Sequence, residues 1–465
     1  MRFLIINARI VSASGLQPAG ILINGEVVEA VISESAFLPE GIPLLDARGM
    51  LVIPGGIDAH VHLHLPTPAG PSSDDFVSGS MAALMGGTTS LIDFVTPARG
   101  ESLMNALLAR RAEARCALTD MALHVGITWW GDEVAGQMRR CVDGEGVRSF
   151  KIYLAYSQTI GLNYQEMRQA MITAASLGAL IIVHAEEGEI IERLQREYIK
   201  HGNTGPLYHL RSRPPETEIE SVKKVINLVR ETGCAIYFVH ISTVGAARLI
   251  ADARKEGLPI MAETCIQYLM LDQSVYSKPF NESAKYVISP PLRCRENVEG
   301  LWDELSAGVF DVVSTDHCPF NLRGQKDAGR NDFTLIPNGA GGIEYRLQML
   351  YTYGVMKGRL TLQQWIELTS LNAAGIFRLK NKGAIKSGID ADLVFWDTGY
   401  CGIVSKATQY QHCDSNIYEG IRVEGCADVV IRRGEILVQN RQLWAEGLSG
   451  KFMSLMTSNE DEHVV

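Results

Sequence analysis

Apolar and polar positions alternate along this chain in two distinct rhythms. Between residues 51 and 317, short unbroken apolar runs take turns with longer stretches of helical periodicity. The runs are "LVIPGGIDAHVH" (51–62), "TTSLIDFV" (88–95), "DMALHVGIT" (120–128), "RSFKIYLA" (148–155), "ALIIVHAE" (179–186), "AIYFVHIS" (235–242), "PIMAETCIQY" (259–268) and "VFDVVSTDH" (309–317). A strand covered on both faces loses its in–out alternation and reads as a continuous apolar run. The segments between them, such as "ETEIESVKKVINLVRETG", are amphipathic and predict helices packed on one side. Eight strand–helix units predict an α/β fold, a parallel (β/α)8 TIM barrel, over residues 51–382.

The two ends follow the other rhythm. Residues 1–50 ("FLIINARIVSA", "GILINGEVVEAVIS") and 383–440 ("GIDADLVFWD", "CADVVIRRGEILVQN") alternate in the manner of hairpins joined by Gly and Asn-Gly turns. They predict a small β-sandwich built from both chain ends, with the barrel inserted between them. Residues 441–465 form a tail whose polar end predicts a loosely held segment.

Composition narrows the functional classes. The 465 residues carry 43 Lys and Arg against 53 Asp and Glu, a net charge of −10. That balance argues against nucleic acid and against an anionic membrane as partners, since both need basic surface. Nine scattered cysteines without a C-x-x-C pair predict reduced thiols and a cytoplasmic protein. The start "MRFLIINARIVSASG" lacks a signal-peptide core, and no run approaches the roughly 18 apolar residues of a membrane span. A small-molecule partner is the expectation that remains.

Polar residues inside the apolar runs supply the chemistry. His60 and His62 close the first run, and a spacing of two puts both on one strand face. Lys151 interrupts the fourth run, His184 ends the fifth, His240 the sixth and Asp316 the eighth. All six fall at C-terminal strand ends, where barrel active sites are built. His64 shares the parity of His60 and His62, so a 62/64 pair is the alternative; the preceding Gly-Gly-Ile-Asp turn favours 60 and 62. The remaining histidines (124, 201, 209, 412, 463) read as ordinary core or surface residues, with His317 set apart by its position beside Asp316.

Lys151 is the sharpest anomaly. Burial disfavours its ammonium form. A neutral amine can add CO2 and become a carbamate, with two oxygens to bridge two cations. Four imidazoles, one carboxylate and an N6-carboxylysine then form a plausible binuclear metal site.

These residues resemble those of the cyclic amidohydrolases, specifically the dihydropyrimidinase/hydantoinase family, from about residue 5 to about 440. The markers are "PGGIDAHVHL", "SSDDFVSGSMAALMGGTTSLIDF", "SFKIYLAY", "VHAE", "VHIS", "AETCIQYL", "SPPLR", "VVSTDHCPF", "PNGAGGIE" and "KGAIKSGIDADLVFWD". The resemblance implies two divalent metal ions, usually zinc, with a bridging hydroxide as nucleophile. One metal falls to His60, His62, carboxylated Lys151 and Asp316, the other to Lys151, His184 and His240. It also implies Asp316 as proton carrier, Tyr156 as hydrogen-bond donor to the developing oxyanion, and Ser289 and Asn338 as positions whose backbone groups align the substrate's imide or ureide. A homotetramer is implied as well.

The sequence departs from the family at Ile266, where proline is common, and in "SNIYEG" (415–420), which lacks the frequent Tyr-Ser-Pro run. Neither departure touches a ligand. Dihydroorotase commonly has an arginine where His64 stands here, and allantoinase usually lacks the tyrosine at 156. In the non-enzymatic scaffold paralogues metal ligands are replaced, whereas all six are present in this chain. The expected reaction is therefore ring opening of 5,6-dihydropyrimidines or 5-substituted hydantoins to N-carbamoyl amino acids, with allantoinase or another cyclic amidohydrolase activity as the alternative. Leu63, Leu65, Tyr153 and Ile160 are the expected apolar pocket for the ring substituent.

Overall fold

The computed structural model describes residues 1–12, 15–33 and 41–453. Eight parallel strands stand in sequence order around the barrel: Gly56–Val61, Thr88–Val95, Asp120–Gly126, Ser149–Tyr153, Leu180–His184, Ile236–Phe238, Ile260–Cys265 and Val312–Ser314. Each of the eight apolar runs contains one of them. Helices cover the outside, and Pro215–Thr232 shows why they form where they do. It opens with Pro at its first turn beside Glu216 and Glu218, buries Val222, Val225, Ile226 and Val229, and stops at Gly233 in the left-handed region.

Closure between the first and last strands rests on few ladder bonds. Val61 and His317 form a single parallel bridge, and the His62 amide donates to the His317 carbonyl at 2.8 Å. Below them, the buried Arg346 guanidinium donates to the carbonyls of Ile57 (2.8 Å) and Val313 (3.0 Å), one on each strand. The Thr315 hydroxyl donates to Asp58 at 2.6 Å. Side chains thus complete what the backbone ladder leaves open.

The run 51–62 is two strands rather than one. Leu51–Pro54 pairs with Arg2–Ser12 on one side and with Leu393–Ile403 on the other, so it belongs to the sheet of the chain ends. The break falls at Gly55, where a Cβ would collide with the Thr89 side chain. Leu51–Pro54 is also what joins the two chain ends. The resulting nine-stranded sheet runs continuously from Val27–Ser33 to Gln442–Leu443. It curls enough for the turn at Arg433 to reach Glu26, 3.6 Å away. Inside the curl lie Phe3, Ile21, Val28, Phe395 and Ile431.

The start of the tail is anchored, contrary to the expectation of a loose segment. Met121 donates its amide to the Lys451 carbonyl (2.9 Å) and accepts from the Met453 amide (2.7 Å), while Phe452 packs into the core beneath Arg111. Apolar Phe452 outweighs the polarity of its neighbours. The last twelve positions of the tail, 454–465, lie outside the described residues.

The Arg346 Nε also lies 3.9 Å from the buried Asp58 carboxylate, so replacing Arg346 by Met should leave that carboxylate without its countercharge and cost about 3–5 kcal/mol of stability. Chemical denaturation would read this as a lower midpoint. Adding Asp58→Asn should recover part of the loss.

Candidate metal centre

The six predicted polar residues meet at the C-terminal mouth of the barrel. They line a cavity of about 390 Å³ with Tyr153, Tyr156, Ser289 and Asn338. The Nε2 atoms of His60 and His62 lie 3.3 Å apart, and Asp316 Oδ1 is 3.2 Å from the first and 3.3 Å from the second. Across the cavity, His184 Nδ1 faces His240 Nε2 at 2.9 Å. His64 is exposed and takes no part, so 60 and 62 are the pair. The Phe94 ring lies against both, with centroids 4.8 Å from each imidazole.

Each side of this cluster is oriented from behind by a carboxylate. Glu263, from the seventh strand, hydrogen-bonds His60 Nδ1; it also accepts from the Tyr237 hydroxyl (2.9 Å) and the Ser314 hydroxyl (2.7 Å). Glu186 accepts from His184 Nε2 at 2.8 Å and pairs with the buried Arg213. A proton on each of those outer nitrogens leaves the inward nitrogen with a free lone pair, the arrangement a metal-ligating histidine needs. The donor set fits divalent metals: clustered imidazole nitrogens and a carboxylate, all within reach of one another around His60, His62 and Asp316.

The electrostatics point the same way. Burial holds the His60, His184 and His240 imidazolium forms down, well below the usual range for His60 and His240. Burial alone would raise the Asp316 carboxyl, but the adjoining His60, His62 and Lys151 hold it below its ordinary value. Glu263 is pushed up to about 7 by its burial.

Lys151 is buried on the inward face of the fourth strand, opposite Ile182 of the fifth. Its Nζ lies 5.1 Å from the Phe94 ring centroid and 5.3 Å from that of Tyr153. Burial pushes the ammonium down to about 8, while Asp316 and Glu263 act through space in the opposite direction. Among the described residues no carboxylate hydrogen-bonds this lysine, and its side chain does not reach solvent.

Three residues at the mouth have left-handed backbone: Tyr156 (φ 63°), His240 (φ 42°) and Asp316 (φ 50°). Non-glycine residues in this region carry strain that the surrounding structure must hold, and such residues cluster at functional sites. Tyr156 stands three residues beyond its strand, its carbonyl accepting from the Thr159 and Gly161 amides. Its ring lies 5.6 Å from that of His184. The Ser289 hydroxyl and the Asn338 side-chain oxygen are buried without a hydrogen-bond partner at the cavity wall.

Other expectations resolve differently. Leu65, Tyr153 and Ile160 line the cavity, but Leu63 does not. It is core, packed with Phe76, Ala82 and Ala83, because the chain turns sharply enough after His62 to point it outward from the barrel axis. Leu335, Ile336 and Pro337 take part in the wall instead. His317 turns away from the cavity to pair with Asp74 at 2.9 Å. His124 is a satisfied core residue between Ser149 and the Ala59 carbonyl, and His209 donates to the Ile288 carbonyl. Glu263 and Glu186 are not among the residues singled out from the sequence, although the signal was there: an acid inside the apolar run "PIMAETCIQY" and another closing "ALIIVHAE", an anomaly like that of Lys151.

Comparison with known proteins bears on all of this. The model of the amidohydrolase family matches residues 51–437. The chain is 40% identical to the D-hydantoinase of Geobacillus stearothermophilus, over 97% of this chain and 96% of that protein. It is 36% identical to the dihydropyrimidinase of Rattus norvegicus, over 97% and 88% respectively. Among solved structures, dihydropyrimidinase from Brevibacillus agri superposes with a TM-score of 0.95 at 38% identity, covering 98% of this chain and all of that one. With the barrel, the strand-end histidines and Asp316, and these relatives in agreement, the chain belongs to the amidohydrolase family and, within it, to the dihydropyrimidinase/hydantoinase group of cyclic amide hydrolases.

Proposed function

We propose that this enzyme opens 5,6-dihydropyrimidines or 5-substituted hydantoins at the ring amide, releasing N-carbamoyl amino acids. The observation that carries the reading is the convergence of four imidazoles, Asp316 and the buried Lys151 on one cavity. Two divalent metals, zinc by family analogy, would be held by His60, His62, Lys151 and Asp316 on one side and by Lys151, His184 and His240 on the other. When bound, such metals polarise a carbonyl and make hydroxide available near neutral pH.

Lys151 would serve as N6-carboxylysine, since a neutral buried amine adds CO2 to give an anionic bridge. Asp316 would take up the proton of the attacking water and pass it to the departing ring nitrogen, so the C–N bond breaks without expelling an anion. Tyr156 would donate its phenolic proton in a hydrogen bond to the carbonyl oxygen as negative charge develops there. Ser289 and Asn338 would align the imide or ureide edge. A homotetramer and a cytoplasmic location complete the proposal, by family analogy and from nine free cysteines. No helix among the described residues is long and apolar enough to cross a membrane.

Lys151→Ala should cut turnover by about 10²-fold or more and lower bound metal, as loss of support at a metal site does. A short carboxylic acid with added metal should restore part of the activity. Two metals per subunit with near-normal turnover in this variant would rule out the carbamate.

Asp316→Asn keeps the volume but cannot accept a proton. Its kcat should fall by about 10²–10⁴, with a smaller fall in metal content; more than a tenth of wild-type kcat would contradict the proton-carrier role.

Ring opening of a panel of dihydropyrimidines and hydantoins, followed by loss of ultraviolet absorbance, tests the reaction itself. Leu65→Ala should shift the kcat/KM ratio of a bulky 5-arylhydantoin over dihydrouracil by about tenfold, within the ~1–3 kcal/mol scale of apolar pockets. Metal content should stay constant. An unmoved ratio would remove Leu65 from the specificity pocket.

A further inference from the structure

Lys326 is a second buried lysine, outside the metal cluster and 1% exposed. Its Nζ donates to the Val287 carbonyl and to the Pro337 carbonyl, both at 3.0 Å. Burial pushes its ammonium down to about 7; the neighbouring Cys318 and Cys413 thiols are themselves pushed up by burial and stay neutral, so they do not offset it. An apolar side chain of similar length would fill this space without the cost of burying an amine. The amine therefore calls for a reason, and the two carbonyls supply it.

Those carbonyls belong to the two loops that carry the unpartnered polar groups of the cavity wall. Val287 is two residues from Ser289, and Pro337 directly precedes Asn338; the Ser289 hydroxyl and the Asn338 side-chain oxygen are both buried without a hydrogen-bond partner. The loops meet directly at one further point, where the Gly339 amide donates to the same Val287 carbonyl at 3.0 Å. Lys326 itself stands on a short 3₁₀ turn, Lys326–Gly329. Gly329 lets that turn lie against Ile336, where a Cβ would collide with the Ile336 backbone. The turn, the 287–289 segment and the 333–339 loop are therefore held as one unit through the lysine.

We propose that Lys326 is a positioning residue for substrate: its amine clamps the two loops so that Ser289 and Asn338 present their polar groups at a fixed separation to the amide edge of the ring. The inference rests on the reading of Ser289 and Asn338 as substrate contacts. Contacts that orient the ring act equally on bound substrate and on the transition state, so their loss appears in KM more than in kcat. A lysine of merely structural importance would lower stability or the yield of folded enzyme and leave KM of the folded fraction alone.

The test uses the metal-loaded full-length enzyme with dihydrouracil and a hydantoin, comparing wild type, Lys326→Met and Lys326→Arg. Lys326→Met, which packs but cannot donate, should raise KM about tenfold or more, with kcat within about threefold and metal content unchanged. Lys326→Arg, which keeps donors for both carbonyls, should recover at least part of the KM. If wild type is active and Lys326→Met keeps KM within twofold, the positioning role is overturned while the cyclic-amide reading stands. Equal losses of kcat and metal in the Met variant, with KM unmoved, would overturn it as well. A wild type inactive on every ring of the panel would instead overturn the cyclic-amide reading, and this role with it.

Discussion

The His62 amide donates to the carbonyl of His317, and the rest of the site depends on the closure that this bond belongs to. It brings the first barrel strand against the last. Only then can the His60 and His62 imidazoles, from the start of the barrel, reach the Asp316 carboxylate from its end. The seam has little backbone ladder, and Arg346, Asp58 and Thr315 supply buried polar contacts in its place. Such contacts are directional and stay satisfied only in one register, so the geometry of closure and the geometry of the ligands are a single constraint.

Around that seam, charge is arranged in layers. Glu263 and Glu186 stand behind His60 and His184, on the outer ring nitrogens, an arrangement that favours a proton there and a lone pair on the inward nitrogen. Burial depresses the imidazolium forms of His60, His184 and His240 and the ammonium of Lys151, works to raise the carboxyls of Asp316 and Glu263, and makes each ionised form depend on a neighbour of opposite sign. Burial brings the Lys151 ammonium down to about 8, closer to neutrality than an exposed lysine. In the function proposed above, its neutral form would add CO2 and so supply the negative charge of the fourth strand.

The loops over the mouth are held by different contacts from the strand-end cluster. Strained backbone at Tyr156, His240 and Asp316 holds three functional groups at angles that a regular strand end would not produce. The wall from Leu335 to Asn338 and the segment before Ser289 depend on contacts between distant parts of the chain, including the carbonyls held by Lys326 and His209. In the proposed function, the reaction type would reside in the strands and ring recognition in loops braced against one another.

The sequence by itself determined the number and order of the barrel strands, because two-sided burial leaves a local mark: an unbroken apolar run. It also exposed Lys151 and the strand-end histidines, since a polar residue in such a run contradicts its surroundings. Tertiary structure alone decided the rest. Residues 51–62 read as one run, yet Leu51–Pro54 leaves for the sheet of the chain ends because Gly55 breaks the strand against Thr89. Leu63 looked like a pocket residue by proximity to His62, and the turn that follows buries it in the core. Phe452 sits in a polar tail and is nevertheless held under the barrel by Met121 and Arg111. Periodicity reports how a residue is buried, but not against what. Asp58 and Thr315 meet across 257 positions of chain, and a contact of that kind exists only once the barrel has closed.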